Sequence, residues 1–226
     1  MIERTERQPL PPGFAATRAS LHVVAARVLG AARYAAVGRL GLEVVPGGFG
    51  TPDFGDRRLL VIDGMLSDGE RRQPFTTLAD ACGFAGVDPT APTHPALEIP
   101  QDLDAALTVE PDAARALADW FWFCQTVLEI LTVQLEPPEG PSPITLWPEH
   151  FDVAVVLGAA GSRANFGGSP GDLYVDEPYC YVGPFEPRTG PYWNESFGAV
   201  LRYSQILSGS DARAFFQKGT ELLGEE

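Results

Sequence analysis

Trp147-Pro148-Glu149-His150-Phe151-Asp152 is a run that sets an imidazole between two carboxylates. If Phe151 opens a strand with its ring toward the core, His150 and Asp152 share the opposite face, roughly 7 Å apart along the strand. A histidine and a carboxylate so placed can serve as a general-base pair or as two ligands of a divalent metal. The same residues also have a purely structural use, with Asp152 capping a turn and His150 bonding the backbone. A second group follows on a glycine-rich stretch, Asn165, Ser169 and Asp172, with Asp176 and Glu177 beyond it. Oxygen donors on such a segment suit calcium or hydrogen bonding to a polar ligand, although the spacing is not that of an EF-hand. Tyr174, Tyr179, Tyr181, Tyr192 and Trp193 add large surfaces with polar tips. The expected ligand-binding set is therefore Trp147, His150, Asn165, Ser169, Asp172, Glu177, Tyr179 and Tyr181. His150, Asp152 and Asp172 are the catalytic candidates, no metal site is assigned, and no cofactor is specified.

Several familiar chemistries lack their parts. Gly167-Gly168-Ser169-Pro170-Gly171 matches the G-x-S-x-G nucleophile elbow in letters only. That elbow needs the N–H after the serine as an oxyanion donor, which Pro170 lacks, and a later histidine, of which there is none. Gly48-Phe49-Gly50 has Asp53 where a dinucleotide loop needs its third glycine. No cysteine pair has zinc-site spacing. Lys218 is the only lysine and sits in the final segment, so Schiff-base and P-loop chemistry have no carrier.

The elements that must position these residues follow from periodicity. Leu21, Val24, Val28, Ala32 and Ala35 recur at spacings of three and four, predicting a helix over 19–37 that ends at Gly38 and Gly41, with His22 beside its apolar stripe. LGLEVVP reads as a strand, GGFGTPDFGD as a glycine-permitted loop and RLLVID as the next strand. Ser67-Asp68-Gly69-Glu70 is a hairpin-type turn leading to RRQPFTT. Thr77 can cap a short helix, LADACGFAG. DPTAPTHPALEIP resists helix at each X-Pro pair and is the candidate boundary between halves, with His94 solvent-exposed inside it. Pro111 opens a long helix that runs to Glu136. Its consecutive Trp120, Phe121, Trp122 and Phe123 point around most of the circumference, which predicts a buried spine. Residues 144–146, 151–157, 179–185 and 198–203 read as strands, and Ser210 caps a last helix. Glycines in the stretch 165–172 predict a turn in which Gly167 or Gly168 takes positive φ. Phe49-Gly50-Thr51-Pro52 is faintly echoed by Phe166-Gly167-Gly168-Ser169-Pro170, which suggests an internal duplication.

The chain is 45% hydrophobic, enough to bury a substantial core without disulfides or metal. Cys82, Cys124 and Cys180 are odd in number and lie in apolar runs, so they read as reduced core residues and the expected location is the cytoplasm. No stretch reaches roughly 18 consecutive apolar residues, and the N-terminal MIERTERQPLPPG carries charge where a signal peptide has an apolar core. The net charge of −14 opposes polyanions, so neither nucleic acid nor membrane is an expected partner. Oligomeric state is not specified.

Ser142-Pro143-Ile144, Phe151-Asp152-Val153-Ala154, the segment from Phe166-Gly167 to Gly171-Asp172, Glu177-Pro178-Tyr179 with Tyr181, and the segment from Tyr192-Trp193 to Tyr203 resemble an uncharacterised bacterial family, a domain of unknown function. The resemblance covers Trp120 to the C terminus well and the first half loosely. Members of that family carry a Ser-His-Glu run ahead of the Phe-Gly turn, where this chain has Ser162-Arg163-Ala164. The resemblance implies no known activity.

Together these features predict an α+β protein, mainly antiparallel strands with covering helices, in two similar halves at 1–100 and 101–226. The expected function is binding of a small polar ligand at the surface from His150 to Asp172. The alternatives are a metal-assisted or acid/base enzyme using His150 and nearby carboxylates, and a protein-interaction module.

Overall fold

A computed structural model describes residues 8–100, 102–135 and 140–224. The N-terminal seven residues and Glu136, the expected end of the long helix, lie outside the described residues. The fold is α+β, with two five-stranded antiparallel sheets. In chain order the elements are α1 Phe14–Val24, a π-helical turn Ala25–Gly30, α2 Ala31–Val37, β1 Glu43–Val45, β2 Gly48–Gly50, β3 Leu60–Ile62, β4 Met65–Ser67 and β5 Arg72–Gln73. Then come α3 Leu78–Ala85, α4 Pro111–Leu135, β6 Thr145–Trp147, β7 Asp152–Leu157, β8 Ala164–Ser169, β9 Tyr179–Pro184, β10 Ala199–Arg202 and α5 Gly209–Gly224. The sheets run β1-β2-β3-β4-β5 and β10-β9-β8-β7-β6. The described residues divide into two compact units, one of 10–100 and 102–122 with 145–151, the other of 8–9, 123–135 and 140–144 with 152–224.

In the unit of residues 10–122, two-residue turns join β1 to β2 and β3 to β4 of the first sheet. Asp63 (φ 49) and Gly64 (φ 73) join β3 to β4 with Ile62 opposite Met65, the positive-φ pair that a tight hairpin demands. Segment 48–50, expected as loop, is a strand. Its glycines serve close approach rather than unusual dihedrals, since a Cβ on Gly48 would lie 1.7 Å from the Val61 carbonyl oxygen. Thr77 caps α3 in a reciprocal box with Asp80. The proline-rich segment 88–100 lies within this unit. His94, expected in solvent, is half-buried there: its Nδ1 accepts from Ala96 N at 3.2 Å and its ring meets Tyr34 edge-on. Buried Ser20 and Thr17 accept from Thr108 N and Glu110 N, fixing the approach to α4.

The expectation for α4 needs correcting. Trp120 and Phe121 are buried, but Trp122 is 49% exposed and Val133 is exposed with it, so one side faces outward. Four consecutive aromatics need not all be covered when the helix packs on one side only. By length and composition alone, Pro111–Gln134 could cross a membrane.

In the second unit, α5 packs on one face of the sheet through Phe216 against Phe166, ring centroids 6.0 Å apart. Gly219 lies so close to Val182 and Tyr192 that a Cβ there would come within 3.0 Å and 2.6 Å. Tyr192 donates to the Phe215 carbonyl at 2.8 Å, and burial pushes its hydroxyl pKa up. That half-buried ring is thereby tied to α5. Cys82, Cys124 and Cys180 are buried and are not joined in disulfides. Phe49 lies on the second strand of its sheet and Phe166 on the third, so the faint sequence echo does not fall on equivalent strands.

Candidate functional site

The strand reading that put His150 and Asp152 on one face fails at Phe151. This residue has φ 55, a left-handed conformation in which side-chain alternation is lost, and β7 begins only at Asp152. His150 is exposed in the turn before it, and Asp152 is buried. Phe151 is held by its surroundings in its own unit: its ring stacks on His22 at 5.2 Å and meets Phe49 and Phe121 edge-on at 5.3 and 5.1 Å. Trp147, also in that unit, ends β6 and is exposed.

His22, read from sequence as a residue beside an apolar stripe, has a defined role here. Its Nε2 faces the Glu149 carbonyl at 3.3 Å, and burial holds its pKa below the ordinary 6.5 despite that contact and in concert with the charges of His150 and Arg18. A depressed folded-state value means that the unfolded chain takes up the proton first. Stability from His22 is therefore fully present above pH 6.5 and lost as pH falls toward the folded-state value. Urea midpoints should decline on acidification through this window, and His22→Phe should flatten that part of the profile; an unchanged slope would remove His22 from the account.

The second unit gathers the other candidates on one sheet face. The β8–β9 register pairs Gly167 with Tyr181 and Ser169 with Tyr179, and β7 pairs Ala154 with Gly167. Alternation then puts Asp152, Ser169, Tyr179 and Tyr181 on the face away from Phe166 and α5. Tyr181 reaches over β8 because Gly167 has no side chain, since a Cβ there would meet the tyrosine ring and hydroxyl at 2.7 Å. Its hydroxyl donates to Asp152 Oδ2. Tyr179 donates to Asp172 Oδ2 at 2.5 Å, and Asp172 Oδ1 accepts from Tyr174 N and Val175 N, which fixes the turn after β8. Ser169 Oγ accepts from Gly171 N, and Gly171 (φ 100) is the positive-φ glycine of this stretch, not Gly167 or Gly168. Gly167 and Gly168 are in strand β8, because the pairing with β7 and β9 demands extended backbone.

Burial raises the pKa of Tyr181 well above 10, and the charge and hydrogen bond of Asp152 raise it further. Tyr181 is half-buried overall, with its hydroxyl end enclosed. Tyr179 is raised as well, first by burial and then by its bond to Asp172. Both hydroxyls remain protonated donors at neutral pH. Glu177 is engaged elsewhere, accepting from Ser204 N and Ser204 Oγ at 2.9 and 3.1 Å. Asn165 is half-buried on β8, opposite Val156 and Gly183. Among the described residues, no group of three or more His, Cys, Asp or Glu side chains is arranged to hold a metal ion. What sequence reasoning missed is the tyrosine–carboxylate pairing, whose signal was the i, i+2 spacing of Tyr179 and Tyr181 on a strand facing Gly167 and Ser169. No family model, curated protein or solved structure matches the chain.

Proposed function

We propose that the second unit binds a small polar ligand at the sheet face carrying Asp152, Ser169, Asp172, Tyr179 and Tyr181. The observation that carries this reading is a buried sheet face on which two tyrosine hydroxyls donate to two carboxylates. An apolar face would be the cheaper way to fill such positions, since buried polar groups need matched partners. Asp172 Oδ2 accepts one bond, from Tyr179, and a carboxylate oxygen can accept two, so the cluster can take a hydrogen bond from a ligand's hydroxyl or amine group. Acid/base catalysis is the weaker reading: the tyrosines resist giving up their protons, and His150 stands in an exposed turn.

The test is NMR shift mapping with a panel of small polyols, monosaccharides and primary amines. Perturbation should centre on residues 152, 169–172 and 179–181. Tyr181→Phe keeps the ring over Gly167 and removes one hydroxyl, so binding should weaken by about tenfold. Gly167→Ala should do the same by pushing Tyr181 off Asp152. Silence at these residues across the whole panel, or full affinity in both variants, would sink the proposal.

A further inference from the structure

The unit of residues 10–122 contains a cleft of about 450 Å³, within the range of small-molecule sites. Its apolar walls come from Val87, Pro89, Pro92, Ile99 and Pro100, and its charged lining is Arg27, Asp88 and Glu98. Arg27 belongs to the π-helical turn Ala25–Gly30, a helix irregularity that recurs at functional positions. Gly30, the last residue of that turn, leaves room for Leu97: a Cβ there would meet Leu97 at 3.1 Å. The Arg27 guanidinium donates to the Ile99 carbonyl at 2.9 Å and the Pro89 carbonyl at 3.3 Å. Those bonds lock the side chain at the cleft and use two of its five N–H groups.

The carboxylates are presented by the loop. Asp88 Oδ1 is occupied by Thr90 N and Thr90 Oγ1, which orients the side chain. Thr93 Oγ1, also in the lining, is buried and has no hydrogen-bond partner among the described residues. A buried hydroxyl in that state carries a desolvation cost that a ligand atom would remove.

We infer that this cleft binds a small zwitterion of the α-amino acid type, with its carboxylate on Arg27, its ammonium toward Glu98 and Asp88, and its side chain against the proline and isoleucine walls. A simple anion would meet two carboxylates, and a simple cation would meet the guanidinium. A ligand carrying both signs satisfies all three groups, and the planar guanidinium suits a carboxylate in two-point contact. The cleft lies in a different unit from the tyrosine–carboxylate face, so the two proposals stand or fall separately.

The experiment is calorimetric titration with backbone NMR mapping, using L-proline, L-leucine and L-glutamine up to about 10 mM. Each is compared with its methyl ester, which lacks the carboxylate charge, and its N-acetyl derivative, which lacks the ammonium. At least one free amino acid should bind, with shifts at Arg27 and residues 87–100, and both of its derivatives should bind about tenfold more weakly. Glu98→Gln, at an exposed side chain, should weaken the free amino acid about fivefold and leave the melting temperature unchanged. Arg27→Lys should weaken it by about tenfold, since the ammonium lacks the planar fork. No binding by any of the three amino acids, shifts confined to other residues, equal binding of the derivatives, or undiminished affinity in Glu98→Gln would each overturn the inference.

Discussion

Phe121→Ala is expected to destabilise the protein by about 3–5 kcal/mol, the cost of emptying a filled aromatic site in a core. Phe121 is fully buried, and its ring meets those of Phe49 and Phe151 edge-on at 6.1 and 5.1 Å. These rings come from helix, strand and turn, so the cavity cannot close by a local adjustment of one element. Against a typical total of about 5–15 kcal/mol, that loss is large. Trp122→Ala, one residue on, removes a bigger side chain that is half exposed, and should cost about 1 kcal/mol or less. Urea denaturation of both variants checks the pair; equal losses, or a larger loss at Trp122, would show that the exposed side of α4 has been misassigned.

That contrast marks where the sequence was informative. Pro111 as a first-turn residue, Thr77 as the cap of α3, and Gly38 as a helix stop are local chemistry, and each is where the sequence placed it. Which aromatics of α4 are covered depends on neighbours far away in sequence, and no periodicity reports that when four aromatics are consecutive. The first sheet was half legible. Asp63-Gly64 is a strong two-residue hairpin signal, yet a strand reads as ending at Asp63 with the hairpin-type turn at Ser67-Asp68-Gly69-Glu70, and Gly48 and Gly50 read as loop residues because close backbone approach looks, in sequence, the same as turn formation.

The candidate site was legible in its residues more than in its geometry. Asp152, Ser169, Asp172, Tyr179 and Tyr181 meet on one face because β7, β8 and β9 form a meander in register, and strand alternation carried that much. His150 was assigned to this face through the same alternation. The left-handed Phe151 interrupts it, and a bulky residue takes that conformation only where tertiary packing holds it, here among His22, Phe49 and Phe121. Such packing has no signature in a single sequence.

Gly48→Ala is expected to cost about 3 kcal/mol or more, at the upper end for overpacking, because the obstruction is backbone. The added methyl group would sit 1.7 Å from the Val61 carbonyl oxygen and 2.8 Å from its carbon. Gly48 pairs with Val45 on one side and Ile62 on the other, so moving β2 away from β3 both breaks that ladder and presses β2 on β1. No side-chain rotation relieves this. The matched control is Gly83→Ala in the middle of α3, where no atom lies within 4 Å of the new Cβ and φ is not positive. There the methyl group only restricts the unfolded chain, and a gain of about 0.5–1 kcal/mol follows. Thermal melts of the two variants should therefore move in opposite directions. A Gly48→Ala protein that melts with the parent would mean that β2 and β3 are not in the close contact described.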